Sequence, residues 1–364
     1  MRLIIEKRLE SSRLIAFLVP IASILLALLA GAGLLAAAGV NPWETYRAMA
    51  QGAFGSRYSL SETLVKAIPL MLSGLGVSIA FRMLFWNIGA EGQLAMGGFA
   101  AAGVALFLAD KIPDPLLLPA MFVAAFLAGA LWGLIPAGLK AALGVNEIIT
   151  SLMLNYVAIL WIEHLFYGPW KDPQGYGFPG SAQFPKAAWL PRLTGRVHAG
   201  LIIAIVAAAF LWLVLGRSKW GYEIRVIGEN PRAARYAGMS MARNILLVML
   251  LSGGLAGLAG FGEVAGISHR LQKGLTVGYG YTAIIVAWLA RLNPWGVLLV
   301  AFLLAGLLVG GDQIQITMGL PAAMALVLQG AILFFVLGGA LFAQYRLRLV
   351  RRPPGLPTSA EVAE

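Results

Sequence analysis

Long apolar runs recur from one end of the chain to the other, the first being Leu14–Gly39, and they leave only short polar links between them. A run of roughly 20 apolar residues is what an α-helix needs to cross the hydrocarbon of a bilayer. Of the 364 residues, 60% are hydrophobic and only 12% charged, so one soluble core cannot absorb the apolar surface. The sequence therefore predicts an all-α integral membrane protein, a single transmembrane domain over residues 1–364, with about ten transmembrane helices in the lipid bilayer.

Charge sets the orientation. The formal net charge is +11, but Lys and Arg sit at the edges of the apolar runs, where they orient spans, and this placement argues against nucleic-acid binding. Arg2, Lys7, Arg8 and Arg13 precede the first run and place residues 1–13 in the cytoplasm; Arg346, Arg348, Arg351 and Arg352 do the same for the tail, 345–364. Between them, residues 216–243 form the most charged stretch of the chain and are read as a third cytoplasmic segment. The expected spans begin near Leu14, Glu62, Leu94, Pro115, Ile148, Ala199, Asn244, Tyr279, Pro294 and Pro321. Spans two to five start outside and spans seven to ten start inside. The expectation is two inverted four-helix repeats plus two extra helices. The links Asn87–Gln93 and Gly274–Tyr281 are both interrupted by glycine, and a pair of broken segments at matching positions points to a transport pathway.

Enzyme chemistry finds no footing. The chain has no cysteine, and His164, His198 and His269 lack ligand spacing, so neither a disulfide nor a metal site is expected. No G-x-x-x-x-G-K-[ST], H-E-x-x-H or G-x-S-x-G motif is present, so no catalytic residue and no cofactor are expected. Energy must come from a partner or an ion gradient.

Polar residues inside apolar spans are costly and are functional candidates for that reason. Asn87, Glu91 and Gln93 open the third span among glycines; the competing reading of Glu91 is an acid offsetting the dipole of its own helix start. Asn146, Glu147, Thr150, Ser151 and Asn155 form a second cluster at the start of span five, read either as path lining or as interhelical hydrogen bonding. Asn87, Glu91, Gln93 and Asn155 are the expected substrate pathway. Glu263 lies near the outer end of span seven. Glu62 and Lys66, four apart, are expected to pair. Phe85, Trp86 and Trp288 read as interface anchors or as stacking surfaces for a base or sugar.

In the cytoplasmic segment 216–243, Asn230 suits a helix N-cap, Pro231 the first helical position, and Gly238 the left-handed stop. The predicted product is a short helix bearing Arg232 and Arg235, a knob for another protein to grip. A solvated basic loop is the other reading.

VIGENPRAARYAGM resembles the cytoplasmic coupling segment of ABC importer permeases of the branched-chain amino acid and ribose superfamily. RMLFWNIGAEGQLAMGG, VNEIITSLMLNYVA and GYGYTAIIVAWLARLNPWG are similar to the signature stretches of its nucleoside, or simple-sugar, branch. The segment Ile267–Leu275 departs from the family pattern. The resemblance implies the pathway-forming subunit of a plasma (inner) membrane importer for nucleosides or a similar small polar solute, with both termini cytoplasmic. It implies three partners: ABC ATPase subunits that take Asn230, Pro231, Arg232, Arg235 and Gly238 into a groove, a second permease subunit, and an extracytoplasmic substrate-binding lipoprotein. Two other readings stay open from the residues alone. An ion-gradient-driven secondary transporter would need a titrating intramembrane acid such as Glu91, and a membrane scaffold would need no polar path.

Overall fold

The computed structural model describes residues 2–7 and 13–350. The expected single domain divides into two compact units, one drawn from the chain's two ends (up to Pro42 and from Val327 onward) and one spanning Trp43–Leu326. Of the expected cytoplasmic segments 1–13 and 345–364, the parts other than 2–7, 13 and 345–350 lie outside the described residues.

The unit of the two ends starts with strand β1 (Arg2–Lys7) and helix α1 (Arg13–Ala37). The larger unit opens on α2 (Pro42–Phe54), a helix in what the sequence reading treats as a polar link. There follow α3 (Arg57–Arg82), α4 (Ala90–Phe107), α5 (Asp114–Leu143) and α6 (Glu147–Tyr167). A loop carries the short strands β2 (Arg192–Thr194) and β3 (Val197–His198) to α7 (Gly200–Arg217). Next come α8 (Lys219–Glu229) and α9 (Pro231–Tyr236), then α10 (Met241–Glu263), which runs on as a π-helical turn, Val264–Ser268. The chain ends on α11 (Tyr279–Leu289), α12 (Pro294–Met318), α13 (Ala323–Gln344) and strand β4 (Tyr345–Val350). β4 lies antiparallel to β1, Arg2 opposite Val350 and Lys7 opposite Tyr345, so the two ends of the described chain are neighbours.

Among the described residues six helices are long and apolar enough to cross a membrane, or up to seven if α1 and α2 count as one bent span. α11 and residues 323–339 of α13 are shorter apolar helices. The expected start of each span falls within a few residues of an observed helix. The ninth runs farther than expected, to Met318, until Gly319 in the left-handed region (φ 66°) closes it.

α3 sits at the centre: 89% of its apolar stretch is buried, and 72% of that of α10, against 28% for α5 and for α6. The outer helices turn large side chains such as Leu127, Leu131 and Leu160 outward. α10 reaches the centre by presenting bare backbone. A methyl group on Gly257 would collide with the Ala125 carbonyl of α5, and one on Gly97 of α4 would collide with Gly257 itself. Gly253 and Gly257, four apart on one face, thus let three helices touch at the backbone, the packing that replaces the hydrophobic effect inside a bilayer. Gly257→Val should push α4 and α5 off α10 at a cost of about 1–3 kcal/mol. Thermal unfolding in detergent should show a clear loss, whereas Leu131→Val on the lipid-facing side of α5 should leave the midpoint nearly unchanged.

Candidate functional site

The two broken stretches meet. α3 stops at Arg82, and the chain turns through Leu84 in the left-handed region (φ 56°) before α4 begins at Ala90. α11 begins at Tyr279, after Gly274 and Gly278, both at positive φ. Glu91 lies in the first turn of α4, yet its carboxylate serves another helix. Oε1 accepts the backbone N–H of Gly278 at 2.8 Å and Oε2 that of Gly280 at 2.6 Å. These amides belong to the start of α11, where the first N–H groups of a helix have no partner of their own and the dipole favours an anion. Gly280 permits the approach, because any side chain there would overlap the backbone of Glu91.

Asn155, from α6, ties the same region from the other side. Its Oδ1 accepts the N–H of Gly92 at 2.8 Å, and its Nδ2 donates to the Ile88 carbonyl at 2.9 Å and to the Tyr281 hydroxyl at 3.2 Å. Asn87 and Gln93 bond each other twice, both at 3.0 Å, and Asn87 Nδ2 also donates to Ser252 Oγ on α10 at 3.0 Å. Ser252 in turn donates to the Gly76 carbonyl of α3 at 2.6 Å. The structure thus brings all four expected pathway residues together, each no more than 1% exposed. Their hydrogen bonds hold backbone ends, which a low-dielectric interior makes worth having and costly to lose. Sequence reasoning missed Ser252, and it named the link Gly274–Tyr281 without giving Gly278, Gly280 or Tyr281 a role of its own. The two glycines act through backbone N–H groups, which no side chain announces.

The second polar cluster divides. Asn146 caps α6, accepting from Ile148 at 2.9 Å; Glu147 pairs with Lys140 of α5 at 2.7 Å; Thr150 donates to the Asn146 carbonyl at 2.7 Å. Only Ser151 and Asn155 reach the junction, Ser151 accepting the N–H of Ile88 at 3.3 Å. The expected Glu62–Lys66 pair does not form. Glu62 meets Arg196 at 2.9 Å and Lys66 meets Asp312 of α12, because both partners approach from other segments and give shorter reach than one turn of α3. Trp86 and Trp288 come together at 5.8 Å between ring centres with Phe81 beside both; Phe85 is buried apart from them.

The charged segment forms two helices where one was expected. Asn230 accepts from the N–H groups of Arg232 and Ala233, both at 3.1 Å, Pro231 takes the first position of α9, and Gly238 is left-handed at φ 74°. A hollow of about 380 Å³ is lined by Arg232, Arg235 and Tyr236. α8 is seated on three other helices. Gly221 packs against the Val214 carbonyl of α7, Glu223 accepts from Asn244 of α10 at 2.9 Å, and Gly228 packs against the Arg82 carbonyl of α3. The Arg82 side chain reaches on to the turn after α11, donating from Nε at 3.1 Å and Nη2 at 2.8 Å to the Leu292 carbonyl. Arg82 therefore joins α8 to the ends of both broken helices.

The loop between α6 and α7 is latched to the segment after α10. Ser181 N–H bonds the Leu271 carbonyl and Phe184 N–H the His269 carbonyl, both at 2.8 Å. His269 stacks flat on Trp189 at 3.9 Å. In β3, burial pushes the His198 imidazole down to about 4, with His269 adding to the effect. Among the described residues no three His, Cys, Asp or Glu side chains are placed to hold a metal.

Among the described residues, six helices long and apolar enough to cross a membrane, packed around a buried polar junction, define a polytopic membrane protein. A family model described as the permease component of the branched-chain amino acid transport system matches residues 59–337, and the chain belongs to that family. It is 38% identical to a glucose ABC transporter permease protein of Haloferax volcanii, over 98% of each chain. It is also 38% identical to a guanosine ABC transporter permease protein of Bacillus subtilis, over 89% of this chain and 94% of that one. A nucleoside ABC transporter permease protein of Lactococcus lactis is 32% identical, over 88% of this chain and 90% of the relative.

Glu91→Ala strands the buried Gly280 amide, at about 1–3 kcal/mol, and the half-buried Gly278 amide, at less. It should lower the thermal midpoint of the purified chain well beyond Asn146→Ala, where an exposed cap is worth about 1 kcal/mol. Equal losses from the two would mean that the Glu91 bonds contribute no more than a surface cap.

Proposed function

We propose that this chain is the transmembrane subunit of an ATP-driven importer and forms the translocation pathway for nucleosides or a similar small polar solute. The observation that carries the reading is the identity to guanosine and nucleoside permeases along about nine-tenths of the chain. A hexose is the second candidate, supported by the glucose permease relative matched from end to end.

In this reading the chain crosses the plasma membrane ten times, with both termini, residues 216–243 and the tail in the cytoplasm. The neighbouring β1 and β4 support an even number of crossings, since they put both ends on one side. α3–α6 and α10–α13 are the two inverted repeats, with α1 and α7 the additional helices. Asn87, Glu91, Gln93 and Asn155 border the path by holding its broken walls in place. Hydrolysis belongs to ATPase subunits that grip α9, a second permease subunit completes the channel, and an extracytoplasmic lipoprotein delivers the solute. The full pairing of Glu91 with two amides favours a static wall over the titrating acid that an ion-driven carrier needs.

α9 transmits movement by shape. Arg232 and Arg235 are exposed, and such contacts contribute about 0.2–1 kcal/mol each. A β-branched residue at the left-handed position 238 costs more, about 1–2 kcal/mol, and unseats the knob itself. In proteoliposomes holding the complete complex, uptake of labelled guanosine or glucose should require ATP. Gly238→Val should depress solute-stimulated ATP hydrolysis more than Arg232→Ala. Uptake that ignores ATP and collapses with an ion gradient would overturn the proposal.

A further inference from the structure

Among the described residues, five that are not glycine occupy the left-handed region, and three of them, Leu84, Arg291 and Leu292, fall in two turns that one side chain connects. Leu84 (φ 56°) follows the end of α3, and Arg291 and Leu292 (φ 50° and 59°) follow the end of α11. A residue with a Cβ resists this conformation, and helices usually leave it to glycine at their C-terminal stop. After α11, two such residues in a row adopt it. Strain of this kind persists only where the surroundings hold it, and it gathers at switching elements.

The holding group is the half-buried Arg82. Its Nε and Nη2 both donate to the Leu292 carbonyl, at 3.1 and 2.8 Å. The cation thereby stands at the C-terminal ends of two helices, its own and α11, where the dipole favours positive charge. The backbone of the same residue supports α8. Any side chain on Gly228 would overlap the Arg82 carbonyl, and Ile224 and Ile227 bury α8 in the core. A displacement of α8 therefore moves Arg82, and the two bonds to Leu292 carry that movement to the turn. The turn in turn bears on Trp288, whose carbonyl accepts the Arg291 N–H at 3.0 Å and whose ring lies 5.8 Å from that of Trp86, in the break after α3.

Resting on the transport reading, we infer that Arg82 is a positioning residue for transport. Its fork holds the Arg291–Leu292 turn under strain, and a displacement of α8 withdraws the fork, lets the turn relax and frees the end of α11 to carry Trp288 away from Trp86. Two substitutions separate holding from transmitting. Lysine at 82 keeps the charge but has no planar pair of N–H donors to present. Glycine at 292 takes the left-handed conformation without strain, so the turn would keep its shape unaided yet lose its connection to α8.

Amide exchange at Arg291, Leu292 and Asn293 is followed in the purified full chain. The ratio of solute-stimulated to basal ATP hydrolysis is followed in the complete complex in proteoliposomes, with guanosine and D-glucose as solutes. Arg82→Lys should speed the exchange by about tenfold, the factor that losing a hydrogen bond from a charged donor implies. It should lower the ratio at least about fivefold, the small end of typical coupling between sites. Gly228→Ala, which leaves Arg82 and the turn unaltered and lifts α8 off the carbonyl, should speed exchange at the same amides. Adding Leu292→Gly to Arg82→Lys should restore slow exchange and leave the ratio low.

Exchange that stays slow in Arg82→Lys or in Gly228→Ala overturns the inference. So does an unchanged ratio in Arg82→Lys, or a ratio that Leu292→Gly restores, which would make Arg82 a brace for the turn and nothing more. The exchange measurement needs neither ATP nor a partner. Uptake that ignores ATP would strike the importer reading, and the link from α8 to the turn would still be judged by exchange.

Discussion

The carboxylate of Glu91 and the amides of Gly278 and Gly280 solve one problem for each other. A helix that begins inside a membrane leaves N–H groups with no water to bond, and a carboxylate there has no water to solvate it. Left apart, each is expensive; placed within 2.8 Å they satisfy one another. The rest of the core follows from that meeting. α4 must start where α11 starts, Gly280 must lack a side chain, and α6 must bring Asn155 to occupy the carbonyl and amide that the break leaves exposed.

From the junction a second chain of contacts leads toward α8 and α9. Arg82 closes α3, supports Gly228 of α8 with its carbonyl, and holds the turn after α11 with its guanidinium. A shift of α8 therefore bears on the break before α4 and on the C-terminal end of α11 together. Well-packed interfaces transmit displacements of this kind because they have no slack to absorb them. The paired bonds of Asn87 and Gln93, anchored through Ser252 to α3, keep the break from yielding locally.

Much of the helical layout was legible in the residues. Apolar runs placed the long helices, and Asn230, Pro231 and Gly238 marked the ends of α9 because capping depends on one or two side chains close in sequence. The four polar residues of the junction stood out because polar groups in apolar runs are rare. Their partners did not. Glu91 bonds backbone amides, which carry no signature in a sequence, and an acid at a helix start suits the dipole of its own helix equally well. Lys66 was matched to the nearest acid four residues away, whereas the fold brought Asp312 from across the chain. α2 was hidden for a different reason. Its composition is mixed, so neither apolarity nor a strong turn signal set it apart from a link.

The claim on which this account rests is that Glu91 holds the start of α11, and amide exchange reads that bond itself. Hydrogen–deuterium exchange should find the peptide covering residues 276–282 protected to the level of the α3 core, and Glu91→Ala should release Gly278 and Gly280 while α3 stays protected. Rapid exchange at these glycines in the unaltered protein, comparable with the loop at Tyr176, would contradict it.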